Sequence, residues 1–332
     1  MNAGANSSLN SIRHELEAAW KLRDALFSHT EALRVFHGPG DSLGVLSQIA
    51  IEKFQDHYWV IEWEKGDGPQ KALGDAVKKE LIEFLKSKAA RSAVILERPE
   101  RGVPAEAKAL FGTPPEKIAV SEGRCKVWIR FLNTRHPGLF MDHSPLRLWL
   151  LENARDWKVL NTFAYTGSLS VAAGLGGASH VTTLDLSKPT LNWAQENWEL
   201  NGLKLDQSRF IHGDYFEWLP RLKREKQLFD CVILDPPSSS TSKNGRFSTA
   251  KDLVKLHEAA LDVLAPEGVL ITSINSANVT LSKFESDVGL AARSRKRSFE
   301  VLREIQQPVT FPTKLGDPKS RYLKGWVLKA LE

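Results

Sequence analysis

Phe229-Asp230-Cys231-Val232-Ile233-Leu234-Asp235-Pro236-Pro237 is the stretch that decides how this chain folds. An apolar, β-rich run stops at an acidic residue followed by two prolines. A short apolar run bounded by a breaker predicts a buried strand. Neither proline can donate a ladder hydrogen bond, so the strand must end there. Asp235 is then left at the carboxyl end of a core strand, where open α/β sheets hold their ligands. The competing reading is a strand-ending turn. The strand ends that precede it decide between the two.

From residue 157 onward the rhythm around this strand is regular. The pattern predicts strands at 158–163, 180–184, 209–212, 231–234 and 269–273. Helices are predicted between them at 168–175, 188–201, 215–225 and 249–264, with another at 281–292. Such alternation implies a mostly parallel sheet wrapped by right-handed crossovers. Two last strands, near 298–306 and 321–330, have no helix between them and are expected to pair antiparallel. Ser238 to Ser242 reads as a short polar loop.

The first part reads as α+β. Residues 1–10 are small and polar and are expected to be a disordered tail. Ile12, Leu16, Ala19, Trp20, Leu26 and Phe27 recur at helical spacing over 11–28, with Arg23 as the exception on that face. Turns are expected at Gly38-Pro39-Gly40-Asp41 and Gly66-Asp67-Gly68-Pro69. Strands are expected at 58–63, 93–96 and 126–131, a helix at 71–88 and a loop at 102–116. The boundaries read as 1–30 for the tail and helix, 31–140 for a small α+β domain, and 141–332 for the alternating domain.

Three further strand ends carry ligand-binding chemistry. Asn161-Thr162-Phe163-Ala164-Tyr165-Thr166-Gly167 runs from strand through loop into helix. Gly167 permits a tight turn or a close backbone approach, and the helix start offers free N–H groups to an anion. Phe163 and Tyr165 stand where a pyrophosphate-binding loop would carry glycines, which argues against a dinucleotide. Asp185, in Asp185-Leu186-Ser187, lies 18 residues beyond Gly167, close to the spacing of a ribose-binding carboxylate. The alternative is a helix cap, with Ser187 competing for that role. Asp214 and Tyr215 end the third strand. There Asp214 accepts from an adenine amino group with Tyr215 packed on the ring, or else Asp214 caps the next helix.

The bulk composition sets bounds. The chain has 332 residues, 42% hydrophobic and 26% charged, enough for two domains with cores. A net charge of +5, from 45 basic and 40 acidic residues, permits a nucleic-acid partner without demanding one. Two cysteines, Cys125 and Cys231, exclude a disulfide framework and a cysteine-rich zinc site. No apolar signal core opens the chain and no uncharged run approaches a membrane span, so a soluble cytoplasmic protein is expected.

At this point the residues carry a resemblance. Residues 159–243 closely resemble the class I S-adenosylmethionine-dependent methyltransferases that modify large-subunit ribosomal RNA, and most of all the branch with the guanine-N7 methyltransferase half of a bifunctional enzyme. The likeness lies in Asn161 to Gly167, Leu175-Gly176-Gly177-Ala178, Asp185-Leu186-Ser187, Trp193 to Asn197, Leu200-Asn201-Gly202-Leu203, Gly213-Asp214 and Leu234-Asp235-Pro236-Pro237. Gly138-Leu139-Phe140-Met141-Asp142-His143 resembles the element preceding the family's catalytic domain, Gly38 to Gly44 the start of its small central domain, and Tyr322 to Gly325 its end. The resemblance implies an α/β fold, a Rossmann-like class I methyltransferase seven-stranded sheet preceded by a smaller α+β domain. It also implies S-adenosyl-L-methionine as cofactor and RNA, specifically large-subunit ribosomal RNA, as partner. Phe163, Tyr165, Thr166 and Gly167 would shape the pocket for the methionine part. Asp185, with Leu186 and Ser187, would hold the ribose, and Asp214 and Tyr215 the adenine. Asp235, Pro236 and Pro237 would border the methyl donor and the target base. Two departures bear on the target. Ser144 stands where the family has Arg, with Arg147 nearby, and Ser239 stands where it often has Phe.

Chemistry narrows the target atom. Carbon-5 of cytosine is a poor nucleophile, and family members that methylate it use a cysteine thiolate after the fifth strand. Here that stretch is Thr272-Ser273-Ile274-Asn275-Ser276, with Asn275 in the thiol's place. Cys231 falls inside a core strand and reads as buried and inert. A ring nitrogen such as guanine N7 has its own lone pair and needs alignment alone. Asn275 either bonds the base or satisfies its own backbone. Ser238 after the prolines is not aromatic, which disfavours an exocyclic amine. For RNA contact, Arg293-Ser294-Arg295-Lys296-Arg297 is the densest basic run. Lys314, Lys319, Arg321 and Lys324 lie near the C-terminus, and Lys243 and Arg246 beside the Asp-Pro-Pro loop. A solvated helix end is the alternative. The rival functions are a non-catalytic RNA-binding protein retaining the fold, a methyltransferase acting on a small molecule or protein, and a dinucleotide oxidoreductase.

Overall fold

The computed structural model describes residues 2–27, 30–63, 73–97, 106–242, 245–276, 279–317 and 320–331. The turn expected at 66–69, the start of the helix expected at 71–88, and Lys243 and Lys319 lie outside them. Two compact units result, Met1–Met141 with Pro308–Arg321, and Asp142–Gln307 with Tyr322–Glu332.

In the first unit, helix α1 (Asn2–Arg23) precedes β1 (Ala32–His37), a single helical turn α2 (Gly38–Asp41), β2 (Ile49–Phe54) and β3 (His57–Glu62). Then follow α3 (Asp75–Ser87), β4 (Ser92–Glu97), β5 (Glu106–Phe111), β6 (Lys117–Glu122) and β7 (Cys125–Arg130). The first five strands form one sheet in sequence order; β3 and β4 are parallel across α3 and the other pairs antiparallel. Strands β6 and β7 form a separate antiparallel pair. Phe54, Tyr58 and Trp59 are fully buried, as core residues rather than stacking platforms.

Several expectations are corrected here. Helix α1 begins at Asn2, not at residue 11. Once its buried stripe of Ile12, Leu16 and Ala19 is fixed, adding residues costs little where no proline intervenes. Arg23, the exception to that stripe, is 3% exposed because its guanidinium pairs with Asp41 at 2.8 Å. It also donates to the Thr310 carbonyl at 2.9 Å. The segment 308–321 therefore belongs with this unit, not with the alternating domain. Part of the loop expected at 102–116 is the edge strand β5, whose mostly exposed residues carry no alternation. Strands β1 and β2 were not expected either: they are buried almost end to end, and β1 carries Arg34 inside, paired with Glu52 at 2.5 Å.

The second unit opens with α4 (Ser144–Asn153), β8 (Lys158–Thr162), α5 (Ser168–Leu175), β9 (His180–Asp185) and α6 (Lys188–Leu200). It continues through β10 (Ser208–His212), α7 (Tyr215–Arg224), β11 (Phe229–Leu234), and a hairpin of β12 (Ser239–Ser242) and β13 (Gly245–Ser248). It ends with α8 (Thr249–Leu261), β14 (Leu264–Ile274), α9 (Leu281–Ser294), β15 (Ser298–Glu304) and β16 (Lys324–Leu331). The seven-stranded sheet has the order β10-β9-β8-β11-β14-β16-β15. Its pairs are parallel from β10 to β14, and β16 runs antiparallel to both neighbours. The fold is thus α/β and Rossmann-like. The central strand is β11: Val232, Ile233 and Leu234 are fully buried, each worth roughly 1.5–3 kcal/mol. The order reverses between β8 and β11, which places a crevice at their carboxyl ends.

Two features were read differently from the sequence. Residues 239–242 are not a loop but one arm of the hairpin, paired with 245–248. In the basic run, Arg295 pairs with Asp262 and Glu258, and Arg297 donates to the Leu264 and Ala265 carbonyls. Arg295 ties the end of α9 to the end of α8, and Arg297 bonds the start of β14.

Candidate active site

The loop after β8 is built under backbone tension. Phe163, Tyr165 and Gly167 all have positive φ, at 53°, 51° and 71°. Glycine adopts this region freely; an aromatic residue does so at a cost of about 1–3 kcal/mol. Such strain persists where surrounding contacts over-determine it. Here the Tyr165 N–H donates to Asp185 at 2.8 Å, and Thr166 is buried with its carbonyl accepting from Asn197 at 2.8 Å. Gly167 starts α5, and a Cβ there would lie 2.8 Å from the Ala194 methyl. Gly167→Ala is therefore expected to destabilise the protein by about 2 kcal/mol in chemical denaturation, from left-handed strain and the clash together. A change below 0.5 kcal/mol would show that the loop relaxes freely.

Asp185 ends β9 and accepts three bonds. They come from the Tyr165 N–H, the Ser187 N–H at 2.8 Å and the Thr190 hydroxyl at 3.3 Å. Burial pushes its carboxyl above the usual value, against the pull of those donors. Ser187 caps α6 by accepting from the Thr190 N–H at 3.4 Å. Asp185 thus holds the β8 and β9 loops together, and Ser187 does the capping. Asp214 caps α7, accepting from the Phe216 N–H at 2.8 Å. Tyr215 is 4% exposed; its hydroxyl donates to the Leu256 carbonyl at 2.7 Å and its ring stacks on Phe163 at 5.0 Å.

These strand ends converge on a cavity of about 430 Å³, within the range of small-molecule sites. Phe163, Asp185, Leu186, Asp214, Tyr215 and Pro237 line it, joined by Leu184, Gly213, Phe216, Ser240, Phe247, Asp252 and Lys255. Tyr165, Thr166, Gly167, Ser187, Asp235, Pro236 and Asn275 are not among its walls. Phe247 was missed from the sequence. It is brought in by the hairpin and stacks on Phe163 at 6.0 Å, with Phe216 at 5.9 Å.

Asp235 follows β11 directly, with Pro236 buried and Pro237 exposed. Its Oδ1 accepts from the Ser273 hydroxyl at 2.7 Å and lies 3.4 Å from His143 Nε2. The other His143 nitrogen lies 3.1 Å from Asp142, whose second oxygen accepts from the Tyr322 hydroxyl at 2.7 Å. Burial alone would drive the His143 imidazole neutral; the Asp235 and Asp142 carboxylates outweigh it and push its pKa up to about 10. His143, Ser273 and Tyr322 were not assigned from the sequence, since Ser273 stands 130 residues from His143 and Tyr322 stands 180 from Asp142. Asn275 follows β14, exposed, two residues beyond Ser273. Cys125 and Cys231 are both buried and neither forms a disulfide, and burial pushes the Cys231 thiol up.

Comparison with known proteins agrees with this geometry. A chain with 32% identity over 66% of this one is the ribosomal RNA large subunit methyltransferase I of Aeromonas salmonicida. Another, 36% identical over 74%, is the ribosomal RNA large subunit methyltransferase K/L of Pseudomonas fluorescens. The matched regions span 55% and 32% of those relatives' lengths. A methyltransferase crystallised with SAH superposes with a TM-score of 0.86 at 25% identity, covering 97% of this chain and 81% of its own. Residues 33–322 match one family throughout, and the chain belongs to the S-adenosylmethionine-dependent methyltransferases.

Proposed function

We propose that this protein transfers a methyl group from S-adenosyl-L-methionine to a base of large-subunit ribosomal RNA, at a ring nitrogen such as guanine N7 rather than at cytosine carbon-5. The observation that carries this is the set of four strand ends, after β8, β9, β10 and β11, that flank the reversal in strand order between β8 and β11. The ribosomal RNA relatives support the substrate class.

The residues present fit the cofactor. Asp185 is a half-buried carboxylate suited to a ribose diol, with Leu186 and Ser187 beside it. Phe163, Tyr215, Phe216 and Phe247 make an aromatic slot suited to adenine, with Asp214 at its edge. The strained loop from Phe163 to Gly167, with Tyr165 and Thr166, ends at a helix N-terminus suited to the amino-acid end. Bound there, the cofactor supplies a methyl group on a positively charged sulfur. Asp235, Pro236 and Pro237 border the target base, and Asn275, which is exposed, bonds it. A carbon-5 mechanism needs a thiolate, and both cysteines are buried, Cys231 within β11. A ring nitrogen brings its own lone pair and requires alignment with sulfur and methyl.

The test is mass-spectrometric mapping of ribosomal RNA from cells with the active protein and from a deletion strain. One guanine losing a methyl group in the deletion is the expected result. A lost 5-methylcytosine would overturn the nitrogen reading, and no change in any RNA base would overturn the substrate. Calorimetry with S-adenosylhomocysteine and NAD separates the remaining rivals: binding of NAD alone would overturn the cofactor.

A further inference from the structure

The buried cluster beside the Asp-Pro-Pro segment is larger than methyl transfer to a lone pair requires of a base-lining residue. Asp142 and His143 are 7% and 5% exposed, just ahead of α4. His143 reaches Asp142 with one nitrogen and Asp235 with the other, at 3.1 and 3.4 Å. Tyr322 and Ser273 close the two ends, each donating at 2.7 Å. Ser273 also lies 3.2 Å from His143 Nε2. Burying such a set is expensive, and apolar residues of the same volume would serve the fold as well. The charge count points elsewhere. Two carboxylates and one imidazolium leave one net negative charge, and Asp235 is the partly exposed member, at 29%.

We propose that His143 is a positioning residue: it fixes the Asp235 carboxylate with Oδ1 occupied, and the Asp142–His143–Asp235 set holds one net negative charge beside the target base. This rests on the reading of Asp235 as a border of that base. The charge suits a particular chemistry. When a neutral ring nitrogen takes a methyl group, its lone pair forms the N–C bond and the S–C pair returns to sulfur. Positive charge moves from sulfur onto the base, and no proton leaves in that step. A fixed anion at the base side stabilises that shift without reorganising. It also leaves Asp235 Oδ2, which accepts no hydrogen bond from a described residue, to accept an N–H of the base. The imidazolium persists across the working pH range because its two carboxylates face it from both sides.

The experiment is single-turnover transfer of labelled methyl to ribosomal RNA from the deletion strain, with S-adenosylhomocysteine affinity measured on the same samples. His143→Gln is expected to slow transfer about 30-fold with affinity within twofold, and Ser273→Ala about fivefold. His143→Gln removes an imidazolium from beside buried Asp142, so Asp142→Asn/His143→Gln is the second variant. It is expected to melt near the wild-type temperature and still transfer slowly. Recovery of the wild-type rate together with stability would overturn the proposal, since the set would then be structural. A neutral His143 in the nitrogen-15 spectrum at pH 8 would also overturn it. If the wild type neither binds S-adenosylhomocysteine nor methylates RNA, the functional reading itself fails, which is a different outcome from active variants.

Discussion

Asp235→Ala is expected to lower methyl transfer by about 10³-fold while changing S-adenosylhomocysteine affinity by less than threefold. The residue stands at the carboxyl end of the central strand β11 and is not a wall of the cavity that Phe163, Asp185, Asp214 and Tyr215 line. Its loss therefore spares cofactor binding. It removes a fixed charge from the place where positive charge develops, an effect of the order of 10²–10³ for one preorganised group. It also leaves His143 with Asp142 as its one carboxylate partner, so alignment suffers as well. Asp235→Asn separates the two causes. The amide keeps the shape and removes the charge, so a loss nearly as large as that of alanine assigns the effect to charge. A rate within threefold of wild type in both variants would remove Asp235 from the chemistry, and the Asp-Pro-Pro segment would be a strand-ending turn. A loss of affinity equal to the loss of rate would make it a cofactor ligand instead.

The strand ends were legible because each is a local pattern. Strand β11 is a buried run stopped by two prolines, and Gly167, Asp185 and Asp214 each close a short apolar strand just before a helix. Period and punctuation carry that information within ten residues. What the sequence hid was of two kinds. One was burial that erases alternation: β1 and β2 are buried nearly throughout, and the ion pair of Arg34 with Glu52 inside the sheet gives β1 the look of a polar segment. The other was contact between distant positions. His143 meets Ser273 across 130 residues, and Tyr322 meets Asp142 across 180. Nothing in the neighbourhood of any one of them announces the set, although Asp142-His143 already stood inside a recognised element. Phe247 was hidden because Ser238 to Ser242 looks like a plain loop until its pairing with 245–248 turns the hairpin toward Phe163. The alternatives weighed for Asp185 and Asp214 also turn out not to exclude one another. Asp214 caps α7 and lines the cavity; Asp185 braces two loops and lines it too.

That double duty sets the second large effect. Asp185→Ala is expected to weaken S-adenosylmethionine binding about 100-fold, or roughly 2.7 kcal/mol. Two hydrogen bonds from a ribose diol to a carboxylate are worth about 1.5–3 kcal/mol each before reorganisation. Part of the loss comes from the loop, because the Tyr165 N–H that holds the strained Phe163–Gly167 turn donates to the same carboxylate. Thr190→Val measures bracing alone. It removes the Thr190 hydroxyl contacts with Asp185 and with the Ser187 carbonyl while leaving the carboxylate in place, and a change below threefold is expected. The sign of the pH effect follows from burial. Asp185 has its carboxyl raised in the folded protein, so the folded state takes up this proton more readily than the unfolded chain. Ionised Asp185 then costs stability at neutral pH, and that cost is relieved as pH falls through the raised value. Ribose donors favour the ionised form, so affinity falls on acidification and binding releases a proton in the window just above the ordinary carboxylate value. Calorimetry in two buffers of different ionisation enthalpy reads that proton directly. If wild type and Asp185→Ala release equally, or if affinity is flat across the window, the carboxylate is not the ribose acceptor, and its bonds to Tyr165, Ser187 and Thr190 are its whole role.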